Sequence, residues 1–464
     1  MTEIAAIVLA AGKGTRMKSA LPKVMHRIAG RSMIGHVLDN LLPLGPARLA
    51  VVIGPDMPSV ATEVAPHPTV IQQEQLGTGH AVAAARSTIG DSHHTVLVLY
   101  GDSPFVSTAT MRRLAERRNG ADDPAVVVLG MRPADPAGYG RLVVDGKGDL
   151  TAIVEDRDAD QEQRQIGLCN SGVMAIDGAL IWRLIDTIQT YNAKKEYYLT
   201  DVVGIAHRLG RHCAVVEAPA EELIGVNDRA DLAAAEAVCQ SRLRVAAMQN
   251  GATMIDPATV FLSTDTKLGR DVTIGPHVVF GPGVSVGDGA EILGFCHFTG
   301  ARIESGAVVG PFARLRPGAV VGPEAHVGNF VELKNAHLGP GAKANHLTYL
   351  GDAEIGPKSN VGAGTITCNY DGFFKDKTKI GAEVFIGSNS ALVAPVEIGD
   401  RAFIAAGSVI TRDVAPDAMA VARGQQVEKP GWAAKFRTAR KALKDKLLKE
   451  KTAGENPARE KLKS

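Results

Sequence analysis

A six-residue period constrains this chain more than any other feature. Gly269, Gly275, Gly281 and Gly287 stand six apart, each preceded by a large apolar side chain: Leu268, Ile274, Phe280 and Val286. The period returns as Ile303, Val309, Leu315, Val321, Val327 and Leu333, and again as Ile380, Ile386, Leu392, Ile398, Ile404 and Ile410. An amphipathic helix repeats every ~3.6 residues and cannot carry that pattern, whereas short strands joined by tight turns around a prism can. The aliphatic side chain is expected to fill the coil, and the glycine to let the chain turn without a Cβ clash. At three hexapeptides to a turn, the stretch from about 255 to 421 has room for roughly nine coils. The breaks, Lys334 to Glu354 and Thr367 to Lys379, are where loops should leave the prism. Fifty glycines alongside only 5% aromatics find their explanation in this architecture.

The first half follows another grammar. Apolar runs Ala5 to Ala11, Thr95 to Tyr100, Ala125 to Met131 and Cys169 to Ile176 alternate with helical stretches such as Met111 to Arg118. That pattern predicts an α/β, Rossmann-like sheet of buried and mostly parallel strands. Ala230 to Asn250 carries Leu232, Ala235, Cys239 and Leu243 on one face and stops at Asn250-Gly251, so it reads as a connecting helix. The expected division is 1–228, a linker helix 229–250, the repeat domain 251–423, and a basic, partly helical tail 424–464. From Gly431 to Ser464 there are eleven Lys plus Arg against four Asp plus Glu, with Trp432, Phe436, Leu443 and Leu447 near one helical face. The tail is either solvated or a docking arm.

Charge and cysteines narrow the function classes. With 51 Lys plus Arg against 50 Asp plus Glu, the chain is not built as a general nucleic-acid or membrane-surface binder. Nothing approaches the ~20 apolar residues of a membrane span, so no membrane insertion is expected. Cys169, Cys213, Cys239, Cys296 and Cys368 are scattered, odd in number and without a C-x-x-C, which suits a reducing cytoplasm better than a disulfide framework or zinc site.

Two constellations carry chemistry. The strand Ala5 to Leu9 runs into Ala10-Ala11-Gly12-Lys13-Gly14-Thr15-Arg16-Met17, a small-residue loop whose backbone N–H groups can approach phosphate closely. It is not a Walker loop, and Met17 occupies the third glycine place of a dinucleotide fingerprint. Leu21-Pro22-Lys23, the run Gln72 to Ala81, and Tyr100-Gly101-Asp102 follow it. Together these residues resemble the sugar-nucleotide pyrophosphorylases, and Gln75-Leu76-Gly77-Thr78-Gly79-His80-Ala81 resembles their uridylyl members. The resemblance implies that Arg16 and Lys23 stabilise phosphates in catalysis and that Asp102 with Asn227 holds Mg²⁺. It also implies contacts to UDP-N-acetylglucosamine from Leu9, Ala10, Ala11, Gly12, Lys23, Gln72, Gly77, Thr78, Tyr100, Gly101, Asp102, Gly140, Glu155, Asn170 and Asn227. Gln72 and Gly77-Thr78 would read the uracil, and Gly140, Glu155 and Asn170 the N-acetylsugar.

The repeat half carries residues that a bare solenoid does not need: Arg314 to Pro317, Glu332-Leu333-Lys334, His346-Leu347-Thr348-Tyr349, Gly362 to Thr365 and Asn369 to Gly372. The repeat resembles left-handed parallel β-helix acyltransferases. The chain from Leu9 to Arg423 resembles the bifunctional N-acetylglucosamine-1-phosphate uridylyltransferase / glucosamine-1-phosphate acetyltransferase family. Acetyl transfer to an amine needs a base, and a histidine, with an ordinary pKa of ~6.5, suits that work. The resemblance assigns it to His346, with Glu332 a candidate to orient the ring. It implies a sugar-phosphate site of Arg316, Lys334, Tyr349 and Asn360, and an acetyl-CoA groove lined by Ala363, Asn369, Tyr370, Ser388, Ala406 and Arg423. Ala363 and Ala406 read equally well as small residues of the repeat.

The implied reaction takes glucosamine-1-phosphate and acetyl-CoA to N-acetylglucosamine-1-phosphate, then UTP with Mg²⁺ to UDP-N-acetylglucosamine. Acetyl transfer would come first, in a cytoplasmic homotrimer with acetyl-transfer sites between subunits, feeding peptidoglycan and lipopolysaccharide synthesis. Two rivals are a monofunctional pyrophosphorylase whose repeat only oligomerises it and a noncatalytic nucleotide-sugar-binding subunit. The cluster of His346, Arg316 and Lys334 opposes the first, and intact Arg16, Lys23, Asp102 and Asn227 oppose the second.

Overall fold

The computed structural model describes residues 3–91, 95–192 and 194–454. Strand Ile4–Leu9 lies at the centre of a nine-stranded sheet, parallel both to Arg48–Ile53 and to Thr95–Tyr100. Its residues Ala5 to Val8 are fully buried, because helices cover both faces and every side chain on a central strand meets apolar neighbours. The four apolar runs of the sequence are all strands, the last of them Cys169–Asp177. That strand runs antiparallel between Thr95–Tyr100 and Val126–Met131, so the sheet is mixed.

Helix Arg229–Gln249 follows, capped by the Asp228 carboxylate, which accepts from Ala230 N and Asp231 N. Its Ala235 and Cys239 bury against Ile28, Met33, Phe105 and Val226 of the first half. Hairpin Arg27–Ser32 also touches the first coil beyond the helix, since Thr264 N donates to Ala29 O at 2.9 Å.

The remainder is a three-faced prism of parallel strands. One face stacks ten strands from Thr253–Met254 to Met419–Ala420, close to the expected number of coils. Every ladder position named above is 0–5% exposed except Leu268, which is partly buried, and together they form one continuous core. Each such side chain gains roughly 1.5–3 kcal/mol from burial, so the coil is held by its own lining.

Two expectations need correction. First, the repeat glycines are not the turn. A Cβ on Gly275 would lie 2.7 Å from Gly294 N, and one on Gly287 2.6 Å from Ser305 N, so they are glycine because the next coil's backbone passes against them. The left-handed corners fall two residues later, at Asp271, His277, Gly283 and Gly289. Second, no loop leaves the prism between Lys334 and Glu354. Strand Glu332–Leu338 pairs with Arg314–Leu315 at one end and Val320–Val321 at the other, thus crossing a corner without interruption. The period was hidden because Leu333 to Leu338 and Leu350 to Ile355 are steps of five and Ala344 fills an inward place. The second break does leave: the chain loops out between strands Ile366–Cys368 and Thr378–Ile380.

Helix Trp432–Gly454 ends the described chain. Trp432 and Phe436 stack at 5.1 Å, and with Leu443 and Leu447 they remain about half exposed. Among the described residues no helix is long and apolar enough to cross a membrane.

Candidate functional sites

The first site lies at the carboxyl ends of the central parallel strands, where open α/β sheets bind ligands. Leu9 and Tyr100 are register partners, and Gly101 N donates to Leu9 O at 2.9 Å, so the two loops leave side by side. Gly14 sits at φ +60, and a Cβ there would fall 2.5 Å from Lys23 Cβ. Glycine at that place lets the phosphate-type loop close over Lys23. Arg16 Nη2 and Lys23 Nζ approach Asn227 Oδ1 at 3.0 and 3.5 Å, and Lys23 also bonds to Asp102 Oδ2. Val226 N donates to Asp102 O at 3.0 Å, fixing the Asn227 loop to the end of strand Thr95–Tyr100.

Two adjoining clefts surround this knot. One of about 250 Å³ is lined by Leu9, Ala10, Ala11, Gly12, Lys23, Gln72, Gly77, Thr78, Tyr100 and Asp102. The other, of about 810 Å³, adds Arg16, Gly140, Glu155, Asn170 and Asn227. Of the residues expected here only Gly101 lies outside both linings, since it packs behind them on Leu9 O and Val24. Gln72 is 4% exposed, and its Nε2 donates to Gly77 O at 3.1 Å. Burial pushes the Glu155 carboxyl above its ordinary range, against the opposing pull of Lys194 and the Thr200 hydroxyl.

The sequence reading missed the props of this site. Gln75 Nε2 bonds to Ala11 O, tying the loop around Gln72 to Thr78 to the loop at Gly12. Tyr197 N donates to Leu76 O, Gly79 N to Tyr197 O, and Leu199 N to Thr78 Oγ1, so segment 196–200 braces Gly77-Thr78 from behind. Gln75 lies within the run Gln72 to Ala81, whereas nothing periodic marks 196–200.

A hard divalent cation fits the donors present. Asp102 offers a carboxylate oxygen and Asn227 an amide oxygen to the same cation, the Lys23 ammonium, the all-oxygen chemistry Mg²⁺ takes. Among the described residues no group of three or more His, Cys, Asp or Glu could hold a metal. A cation at Asp102 and Asn227 would therefore draw its other ligands from phosphate and water.

The second site is a column along the prism rather than a cleft. At one corner the left-handed residues His277, Phe295, Phe312, Phe330 and Leu347 stack coil upon coil, their successive rings 4.8, 5.0 and 5.1 Å apart. Above Leu347 the same corner continues as Gly364, Asn389 and Gly407, so bulky side chains give way to small ones directly above His346. The chain hands the column upward: Gly364 N donates to His346 O, Asn389 N to Ala363 O at 2.7 Å, Gly407 N to Ser388 O at 2.8 Å, and Arg423 Nη1 to Ala406 O at 2.6 Å. His346, Ala363, Ser388, Ala406 and Arg423, scattered in sequence, thereby stand one above another along that corner.

Beside it, Arg316 N donates to Leu333 O, placing Arg316 one coil below Lys334. Each cation has its own carboxylate: Arg316 meets Glu332 Oε1 at 2.8 Å and Lys334 meets Asp352 Oδ2 at 3.7 Å. Tyr349 is the register partner of Glu332 on that face. Asn360 pairs instead with Lys343 on the face that carries His346, and the chain does not bring it to Arg316 and Lys334. Asn369 and Tyr370 open the outgoing loop, where Tyr370 bridges to Lys375.

Glu332 does not orient His346. Its carboxylate is taken by Arg316, and the ring is held by Asn329, whose Oδ1 lies 3.0 Å from His346 Nδ1. With Oδ1 accepting from Nδ1–H, the lone pair is left on Nε2.

Residues 6–166 match a family model described as a MobA-like NTP transferase domain, and 265–300 and 377–412 match one described as bacterial transferase hexapeptide (six repeats). The chain is 60% identical over 447 residues to the bifunctional protein GlmU of Paramagnetospirillum magneticum, covering 96% of this chain and 99% of that one. It is 60% identical over 446 residues to that of Rhodospirillum rubrum, covering 96% and 100% of the two chains. Against that of Zymomonas mobilis it is 50% identical over 440 residues, covering 94% and 98%.

Proposed function

The chain belongs to the GlmU family of bifunctional proteins, and on that premise we propose how it makes UDP-N-acetylglucosamine in two steps at two separate sites. In the repeat half, 251–423, glucosamine-1-phosphate takes an acetyl group from acetyl-CoA. In the first half, 1–228, the resulting N-acetylglucosamine-1-phosphate takes a uridylyl group from UTP and pyrophosphate leaves. The observation that supports this most is that one chain holds both knots of charge, Arg16–Lys23–Asp102–Asn227 and Arg316–Glu332–Lys334–Asp352 beside His346.

For acetyl transfer, Arg316 and Lys334 take the sugar phosphate between them, each held in place by a carboxylate. His346 Nε2 removes a proton from the amine as its nitrogen bonds to the thioester carbonyl carbon. The C–S bond breaks, and the proton passes to the departing thiolate. The column Ala363, Ser388, Ala406 and Arg423 takes the extended coenzyme, with Asn369 and Tyr370 beside it. Asn360, on the face away from the clamp, fits a trimer in which a neighbouring subunit completes each site.

For uridylyl transfer, the phosphate oxygen of the sugar attacks the α-phosphorus of UTP, and the chain supplies position and charge. Arg16 and Lys23 neutralise the phosphates, Gln72 and Gly77-Thr78 hold the uracil, and Gly140, Glu155 and Asn170 hold the sugar. Mg²⁺, held by Asp102 and Asn227, would add charge neutralisation on the phosphates. Five free cysteines support a reducing, cytoplasmic setting. The deciding experiment incubates the pure protein with glucosamine-1-phosphate, acetyl-CoA, UTP and Mg²⁺ and identifies products by mass. UDP-N-acetylglucosamine is expected, and its absence would remove the reading.

A further inference from the structure

At the corner between the clamp face and the next face, the left-handed positions of successive coils are Gly300, Gly318, Asn335 and Asp352, at φ +54, +82, +47 and +47. Three of these four do the turning without a charge, so the corner itself has no need of a carboxylate. Asp352 is nevertheless 8% exposed, and a buried carboxylate is costly unless it is paired and hydrogen-bonded. It is fully engaged. Asn335 Nδ2 donates to Oδ1 at 2.7 Å, Asn369 Nδ2 donates to Oδ2, and Lys334 Nζ stands 3.7 Å from the same Oδ2. Burial alone would raise its pKa, but the bonds from Asn335 and Asn369 and the charges of Lys334 and Lys375 outweigh that and hold the carboxyl below its ordinary range.

The partners make the network more than a corner brace. Lys334 belongs to the sugar-phosphate clamp and Asn369 opens the loop beside the coenzyme column. Asn369 is itself 7% exposed with its side chain turned to Asp352, and its carbonyl accepts from Asp376 N at 3.0 Å across the base of that loop. We infer that Asp352 is a positioning residue that fixes Lys334 and Asn369 to one another, so that the two substrates of acetyl transfer are placed by a single carboxylate. The inference rests on the acetyl-transfer reading above and adds to it a coupling between its two ligand sites.

The test is steady-state acetyl transfer by the full chain, with uridylyl transfer and melting temperature measured on the same preparations. Asp352→Asn keeps the shape and tolerates the left-handed backbone, and it should raise the KM for acetyl-CoA and for glucosamine-1-phosphate together, each by about tenfold, the worth of one good hydrogen bond. Asn369→Asp sets two carboxylates face to face and should do worse. The double variant Asp352→Asn with Asn369→Asp restores donor to acceptor between the two residues but leaves Lys334 against an amide, so it should return the KM for acetyl-CoA to within about threefold of the parent while that for glucosamine-1-phosphate stays raised. Asn369→Ala, which touches only the coenzyme side, should also raise the KM for glucosamine-1-phosphate. It carries the test alone if Asp352→Asn fails to fold.

Lowered melting temperature with both KM values unchanged would make Asp352 a brace and overturn the inference. So would a double variant whose KM for acetyl-CoA is no better than that of Asn369→Asp, or an Asn369→Ala effect confined to acetyl-CoA. A parent enzyme that forms no acetylated sugar would overturn the acetyl-transfer reading instead, and the inference with it, a result distinct from either of those.

Discussion

The two halves build their sites by opposite routes. In the α/β half, loops from Gly12, Lys23, Gln72, Asp102 and Asn227 start far apart in sequence and converge at one edge of a sheet, making paired clefts of about 250 and 810 Å³. In the prism residues meet by stacking from coil to coil. Each coil adds one residue to a column, from His346 through Ala363, Ser388 and Ala406 to Arg423, and the surface stays open along its length. A cleft of the first kind surrounds a compact ligand and can read a base and a sugar in one subunit. A column of the second kind suits an extended ligand and leaves one side to be closed by something else, which is why a neighbouring subunit enters the proposal for the prism and not for the sheet.

If the sites are as separate as they look, single changes should silence one and spare the other. His346→Ala should lower acetyl-transfer kcat by about 10² to 10⁴, the usual worth of a positioned base, with uridylyl transfer unchanged. Asp102→Ala should lower uridylyl transfer by about 10² to 10³ with acetyl transfer unchanged. Both rates measured on both variants decide the matter: any cross-loss greater than a few fold breaks the separation, and a near-normal kcat in His346→Ala removes the base.

A smaller effect would sharpen the account of the column. Aromatic rings occupy its corner up to Phe330 and small residues occupy it from Gly364 upward. Asn389 has φ +56, close to the +55 at which Phe330 is already tolerated, so Asn389→Phe should fold. On the proposed course of the coenzyme its ring would stand in the way, and the KM for acetyl-CoA should rise by roughly tenfold with little change in melting temperature. Calorimetric titration with acetyl-CoA provides the check, and unchanged affinity would move the coenzyme off this corner.

Legibility in the sequence followed the same divide. The first site could be read because its phosphate-type loop and metal-type carboxylate are contiguous with apolar strands, and strand ends announce themselves. Its braces could not, since Tyr197 acts through backbone groups that any residue supplies. In the prism the inward ladder was plain wherever Ile, Leu or Val held the place and vanished where Ala344 did. The partners of the charged residues were missed for want of the coil length. Asn329 and His346, Asn335 and Asp352, and Asp352 and Asn369 are each seventeen apart, which is one coil where a step of five replaces a step of six. A search at that offset would have found Asn329 for the histidine in place of Glu332.

The smallest expected effect concerns the price of enclosing a charge in the cleft. Glu155 is half-buried, and its pKa is raised above the ordinary 4.5, chiefly by desolvation. A carboxyl whose folded pKa exceeds its unfolded one binds its proton more tightly when folded, so it favours the fold at low pH. That contribution is lost as pH rises from the ordinary value through the raised one. Glu155→Gln, which does not titrate, should therefore melt at about the temperature of the parent near pH 4 and above it at pH 7 to 8, the gap opening across the interval between the two pKa values and then staying constant. The same variant should raise the KM for N-acetylglucosamine-1-phosphate while leaving acetyl transfer alone, because an amide offers one acceptor oxygen where the carboxylate offers two. Melting curves across that pH range give the check. A gap that stays constant with pH would mean that Glu155 is not strained by its burial, and that enclosure in the cleft carries no such electrostatic cost.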